Sequence, residues 1–247
     1  MNQRVRLTLF GSGAVVMGVF FVISVHSLPS FGGLRHLYRD LAVRAALSHT
    51  TANIVSSVNF DLRAADTLGE ETVLLASVIG VMALLRPALE ERELLPRERG
   101  HAMDATRLMG YVMMPVTLAV GVDIVLHGHI TPGGGFQGGV MIAIALHLLY
   151  VAGSFRALDR LRPVNVFDMG ELAGAAAFAM LGICGTTFAG AFLANFIRQG
   201  QLGVLFSGGA VPLFNIAVGV EVACGMTVLL AQFLAQEITI VKRGERP

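Results

Sequence analysis

The sequence predicts an all-α, polytopic integral membrane protein with about six transmembrane helices, arranged as two plus four. Three observations carry that prediction. Hydrophobic residues make up 54% of the 247-residue chain and charged residues only 14%, against roughly 25% charged in ordinary soluble domains. Mean hydropathy is +0.69. Six apolar runs are each long enough for a hydrocarbon core that needs about 20 predominantly apolar residues.

The first run, Leu7 to Leu28, follows Arg4 and Arg6 and carries no charge. It lacks a convincing small-x-small cleavage site, so a retained helix is expected rather than a signal peptide. The second is expected over Thr67 to Leu85, the third over Leu108 to Leu126 and the fourth over Phe136 to Phe155. The fifth, Leu172 to Ile197, is free of charge, and the sixth runs from Pro212, a good first-turn residue, to Gln236. Residues 46–63 have a short, partly polar core, expected to be interfacial, re-entrant or a short seventh span.

Basic residues set the expected orientation. Arg86, Arg92, Arg97, Arg99 and Arg107 lie between the second and third runs, Arg156, Arg160 and Arg162 between the fourth and fifth, and Lys242, Arg243 and Arg246 in the tail. Both termini are therefore expected in the cytoplasm of a cell with this chain in its inner membrane. Arg35, Arg39 and Arg44 are the exception. The expected organisation is a two-helix module over 1–88, a charged cytoplasmic connection over 89–107 and a four-helix module over 108–247. A net charge of +1 and the lack of a dense basic stripe give no reason to expect nucleic acid. Cys184 and Cys224 sit in apolar runs and read as small buried hydrophobes.

The stretch "HGHITPGGGFQGGV", residues 127–140, satisfies G-x-G-x-x-G. A dinucleotide site needs a strand before the glycines and an acid near the ribose. Here a membrane-length helix precedes them, and the candidate acid Asp159 lies beyond the fourth run, across a core about 30 Å thick. That reading fails, and no cofactor is expected. Pro132, Gly133, Gly134 and Gly135 suit a tight reversal. Gly134 with Gly138 and Gly135 with Gly139 form small-x-x-x-small pairs suited to close helix packing.

"HGHITPGGGFQGGVMIAIALHLLY" and "GGAVPLFNIAVGVEVACGMTVLL" resemble the B subunit of Mrp-type multisubunit Na+/H+ antiporters, whose four-helix equivalent occurs in membrane-bound hydrogenases. The resemblance covers about residues 104–240, with Phe136 inside its most specific block. The N-terminal part is similar to the C-terminal module of the antiporter's large A subunit. Its D-x-R-x-x-D-T-x-G-E signature stands here as Asp61, Arg63, Asp66, Thr67, Gly69 and Glu70. Ser56, Ser57 and Asn59 depart from the more apolar residues of that family before this block. The resemblance implies a fused, non-catalytic subunit with other membrane subunits of an Mrp-like complex as partners, and Na+ and H+ as transported ions. A redox-driven relative or a purely structural subunit are the alternatives.

Ionisable residues at membrane depth are expensive and mark ion routes. The candidates are Asp61, Asp66, Thr67 and Glu70 at the second run, Asp123 in the third, His147 in the fourth and Glu221 in the sixth, after Asn215. Each also has a plainer reading: a helix N-terminal acid cluster with Arg63 as partner, an interfacial carboxylate, a hydrogen-bonded histidine, or a buried pair with another subunit. His129 reads as a loop-ordering residue and Glu171 as a helix N-terminal acid. No metal-ligand spacing occurs.

Overall fold

The computed structural model describes residues 3–28, 36–85, 103–152 and 164–244. Most of the charged connection, Arg35, Asp159 and the basic cluster at 156–162 lie outside these residues. Two compact units are present, residues 1–41 and 42–247.

The first unit holds α1 (Gln3–His26), a charge-poor helix whose large apolar side chains are exposed, as suits a helix facing lipid. Helix α2 (Leu37–Ser48) crosses the boundary between the units and buries Ala42 and Ala46 within the second. There the chain continues through a short helix α3 (Ile54–Ser57), a π-helical turn (Val58–Leu62) and α4 (Ala64–Leu84). Helices α5 (Asp104–Leu126), α6 (Gly135–Val151), α7 (Val164–Ala189) and α8 (Val211–Gly244) follow.

Among the described residues five helices are long and apolar enough to cross a membrane, within α1, α4, α5, α7 and α8. The fourth expected span is the apolar but shorter α6, of 17 residues. The protein is a multi-pass membrane protein.

Helix α8 is the hub, packing against α4, α5, α6 and α7. Its interior face repeats at three to four residues: Phe214, Ala217, Val218, Glu221 and Val222 are all buried. Phe214 meets Phe178 of α7 with ring centroids 4.7 Å apart and stacks on Phe60 of the π turn at 6.2 Å.

The fifth run differs from expectation at both ends. Helix α7 begins at Val164, eight residues before Leu172, because Asp168 and Glu171 lie inside it rather than ahead of it. It stops at Ala189, where Gly190 and Leu193 take positive φ values of 81° and 64°. The apolar tail of the run folds back instead: Leu193 is buried and its N–H donates to the Gly182 carbonyl at 3.1 Å.

Residues 46–63 do not form a seventh span. The chain turns at 49–53 and folds irregularly over one end of the bundle. Ser56 and Ser57 are buried there; Ser56 Oγ accepts from Asn215 Nδ2 of α8 at 2.9 Å, while Ser57 Oγ has no partner among the described residues.

Candidate functional site

Two sites are built around α8. The first is the glycine-rich turn. Gly133 and Gly134 adopt φ of 132° and 150°, a region that side-chain-bearing residues rarely enter. Beyond them α6 runs against α8 and α5 at backbone contact. A Cβ on Gly135 would lie 2.5 Å from the Asn215 carbonyl, one on Gly139 2.9 Å from the Gly219 carbonyl, and one on Gly138 2.7 Å from the Gly121 carbonyl of α5. Gly134 corrects the expected pairing with Gly138. It precedes the helix as its N-cap, so Gly138 works across the interface with Gly121. Pro132 and Phe136 flank this reversal.

The two asparagines at the turn are fully answered, whereas His129 Nδ1 has no partner among the described residues. Asn215 Oδ1 accepts from Gly135 N–H at 2.9 Å, and its Nδ2 donates to Ser56 Oγ and to the Val211 carbonyl. Asn53 Nδ2 donates to the carbonyls of Gly128, Thr131 and Gly133 at 2.7, 2.8 and 3.3 Å, while its Oδ1 caps α3. His129 is buried, and its Nε2 donates to the Leu205 carbonyl at 2.9 Å, tying two loops together. Burial pushes the His129 imidazole below its ordinary pKa, so it is held neutral. Thr50 Oγ1 adds a bond to the Gln199 carbonyl. The turns at 49–53, 127–134 and 190–210 thus meet at one end of the bundle.

The second site lies where α4, α7 and α8 meet. Glu71, Glu171 and Glu221 are 2%, 2% and 0% exposed. Both carboxylate oxygens of Glu71 and of Glu221, and Oε1 of Glu171, are buried without a hydrogen-bond partner among the described residues. Glu221 is within electrostatic reach of both Glu71 and Glu171, and Glu171 of half-buried Asp168, whose Oδ1 is also unpartnered. The ion pairs among the described residues are Arg39–Asp40, His49–Asp61, Arg63–Asp66 and His127–Asp123, so none of the buried glutamates is paired.

The architecture makes room for this row. Gly174 of α7 faces Glu221, and a Cβ there would sit 2.7 Å from the Glu221 Cβ. A Cβ on Gly225 of α8 would sit 2.9 Å from Glu171 Oε1. Glu221 lies ten residues into α8, about 15 Å along its axis. Three anionic carboxylates there, without a cation, would carry a penalty of several kcal/mol each. Such burial requires that the carboxyl groups be protonated or their charge compensated.

The expected candidates are only partly brought together. Glu221 is in the row. Glu70 is exposed, and it is the adjacent Glu71, about 100° round the helix, that points inward. Thr67 is buried and donates to the Asn59 carbonyl at 2.8 Å. Asp66 is half-exposed and paired with Arg63. Asp61, whose side chain is buried, meets His49 Nδ1 at 2.5 Å at the capped end. Asp123 is exposed at the end of α5, 2.8 Å from His127. His147, on α6, binds the Ala143 carbonyl of its own helix through Nδ1 at 2.6 Å. Glu171 is not a helix N-terminal acid: α7 starts two turns earlier and buries it. Sequence reasoning missed Glu71. The seven-residue recurrence Ala64, Glu71, Val78, all buried on one face of α4, was the available signal.

The fold and these sites define a polytopic membrane subunit with a tightly packed small-residue seam and buried acids. Residues 105–228 match the family model described as a domain related to the MnhB subunit of Na+/H+ antiporter. The chain belongs to that family. An uncharacterised protein of Methanocaldococcus jannaschii is 31% identical over 249 residues, covering 90% of this chain and 92% of that protein. A combined A/B subunit of a probable K+/H+ antiporter from Rhizobium meliloti is 26% identical over 95% of this chain, which spans only 25% of that relative's length. The B subunit of a Na+/H+ antiporter from Bacillus subtilis is 27% identical over 54% of this chain and 90% of its own. Among solved structures, a chain of the membrane-bound sulfane sulfur reductase, an archaeal respiratory membrane complex, superposes with a TM-score of 0.70 at 25% identity, covering 93% of this chain and 98% of that one. A chain of the Mrp complex from Dietzia sp. shares the fold, with a TM-score of 0.65, 22% identity and coverage of 94% of this chain and 26% of that one.

Proposed function

We propose that this chain is a membrane subunit of a multisubunit cation/proton antiporter-type complex, and that Glu221, with Glu71 and Glu171, handles ions within it. The observation that carries the reading is a fully buried Glu221 without a partner among the described residues, flanked by two further buried carboxylates. A purely structural subunit has no use for that arrangement, since replacing buried charge by apolar side chains is commonly neutral or stabilising. The relatives named for Na+/H+ and K+/H+ antiport support the assignment.

In this reading residues 1–88 correspond to an A-subunit-like module and 108–247 to a B-subunit-like one, joined in a single chain. The alignment of 95% of the chain with one relative that carries the combined A/B name supports the fusion. Both termini face the cytoplasm, the partners are other membrane subunits of an Mrp-like complex, and the chain alone is not an enzyme. The test is cation-driven proton movement in inverted vesicles containing the assembled complex. Glu221→Gln abolishes it while the subunits still co-purify; unchanged flux overturns the ion-handling role.

A second reading places the same subunit in the membrane arm of a redox-driven complex, favoured by the near-full coverage of the sulfane sulfur reductase chain. Co-purifying subunits that carry iron–sulfur or nickel centres decide for it.

A further inference from the structure

The buried acids and the aromatic core share one register. On α8, Phe214 and Glu221 are seven residues apart; on α7, Glu171 and Phe178 are; on α4, Ala64 and Glu71 are. Seven residues are two helical turns, about 10 Å, and keep side chains on one face. The bundle therefore contains two layers at this seam. One is the carboxylate layer. The other, two turns nearer the capped end, is the dry layer of Phe60, Phe178 and Phe214, each at most 3% exposed and in mutual ring contact.

The row continues away from that layer. Glu171 is followed one turn further by Asp168, four residues from the start of α7 and only half-buried. Asp168 is thus the member nearest the opposite end of the bundle. The acids do not converge on one point: among the described residues no three His, Cys, Asp or Glu side chains gather as a metal-binding group. A proton can occupy one carboxylate at a time, whereas a small metal cation needs several oxygens at once.

We propose that Asp168, Glu171, Glu221 and Glu71 form a proton entry route that opens at the end of the bundle where α7 begins and is closed at its far end by the Phe60–Phe178–Phe214 layer. The route rests on the ion-handling reading of Glu221. Each step moves a proton from one carboxyl to the next and leaves a carboxylate behind. The aromatic layer offers no acceptor, so protons do not pass straight through it.

The test uses the assembled complex in vesicles. Asp168→Asn and Glu171→Gln each lower proton movement at least tenfold with normal subunit co-purification. Phe178→Ala opens the layer, so an imposed pH gradient decays several-fold faster, while an imposed Na+ gradient decays at the wild-type rate and Phe178→Leu stays tight. If Glu221→Gln is inactive but Asp168→Asn and Glu171→Gln transport normally, the route is wrong and the role of Glu221 stands. If all three transport normally, the underlying reading falls with it. An assembled Phe178→Ala complex without a proton leak, or with an equal Na+ leak, also overturns the route.

If Phe178→Ala fails to assemble, Cys224 decides. Its thiol borders Gly170, beside Glu171. In a Cys184→Ala background, a small membrane-impermeant thiol reagent labels this chain only from the face carrying the 153–163 connection. Labelling from the other face, from both or from neither contradicts the route.

Discussion

The two seams of α8 solve opposite problems. Against α5 and α6 the helix presents Gly219 and Asn215 to facing glycines, backbones touch, and the side-chain polar groups of Asn215 and Asn53 are answered by hydrogen bonds. Against α4 and α7 it presents Glu221 to two other carboxylates, and both oxygens of Glu221 and Glu71 and Oε1 of Glu171 go unanswered among the described residues. The first seam has the character of a joint, where small residues let dispersion and hydrogen bonding hold helices together in lipid. The second carries a standing electrostatic cost that assembly alone does not require. The proposed function assigns that cost to ion handling, in keeping with the way functional sites break local rules.

That contrast can be broken from either side. The largest stability effect is expected at the joint. Asn215→Ala strips the Ser56 hydroxyl and the Gly135 N–H of their shared partner, and unmet buried groups cost about 1–3 kcal/mol each. A clear drop in the thermal midpoint of the purified protein in detergent is expected, without a specific change in ion selectivity. Gly135→Ala comes next. Its new methyl meets the Asn215 carbonyl backbone, which cannot swing aside, and overpacking of this kind costs about 1–3 kcal/mol. The same midpoint reads it.

At the acid seam the sign reverses. Glu71→Gln and Glu171→Gln remove charge that the fold does not pair, so the thermal midpoint stays level or rises while ion movement is lost. A fall in midpoint matching that of Asn215→Ala would mean the acids are structural after all.

The smallest effect is at the capped end. His129 has its pKa lowered from 6.5, chiefly by burial. As pH falls below 6.5 the unfolded chain takes up the proton before the folded one, so folding stability declines, by at most about 1.4 kcal/mol per pH unit. Hydrogen exchange in residues 199–208 should quicken over that window. His129→Gln should flatten the dependence.

Much of this is legible in the sequence, and the misses have physical causes. Apolar runs of membrane length announce helices whatever surrounds them. The Gly133–Gly135 reversal announces a turn because few other residues tolerate its backbone angles. The start of α7 escapes a sequence reading because Asp168 and Glu171 look like loop acids until the helix is seen to bury them. Glu70 and Glu71 are neighbours, one exposed and one buried, and charge alone does not tell which one faces inward. The clamp from Asn53 to Gly128 spans 75 residues, and the bond from Asn215 to Ser56 spans 159. No local pattern encodes contacts that distant.

The central claim, that the unpartnered acids of α8 and its neighbours work on ions rather than hold helices, is tested most directly by Glu221→Gln in the assembled complex. Proton movement in inverted vesicles and the thermal midpoint are measured on the same preparation. The account predicts lost movement with a midpoint equal to or above wild type. Retained movement, or loss that merely follows a collapsed midpoint, would contradict it.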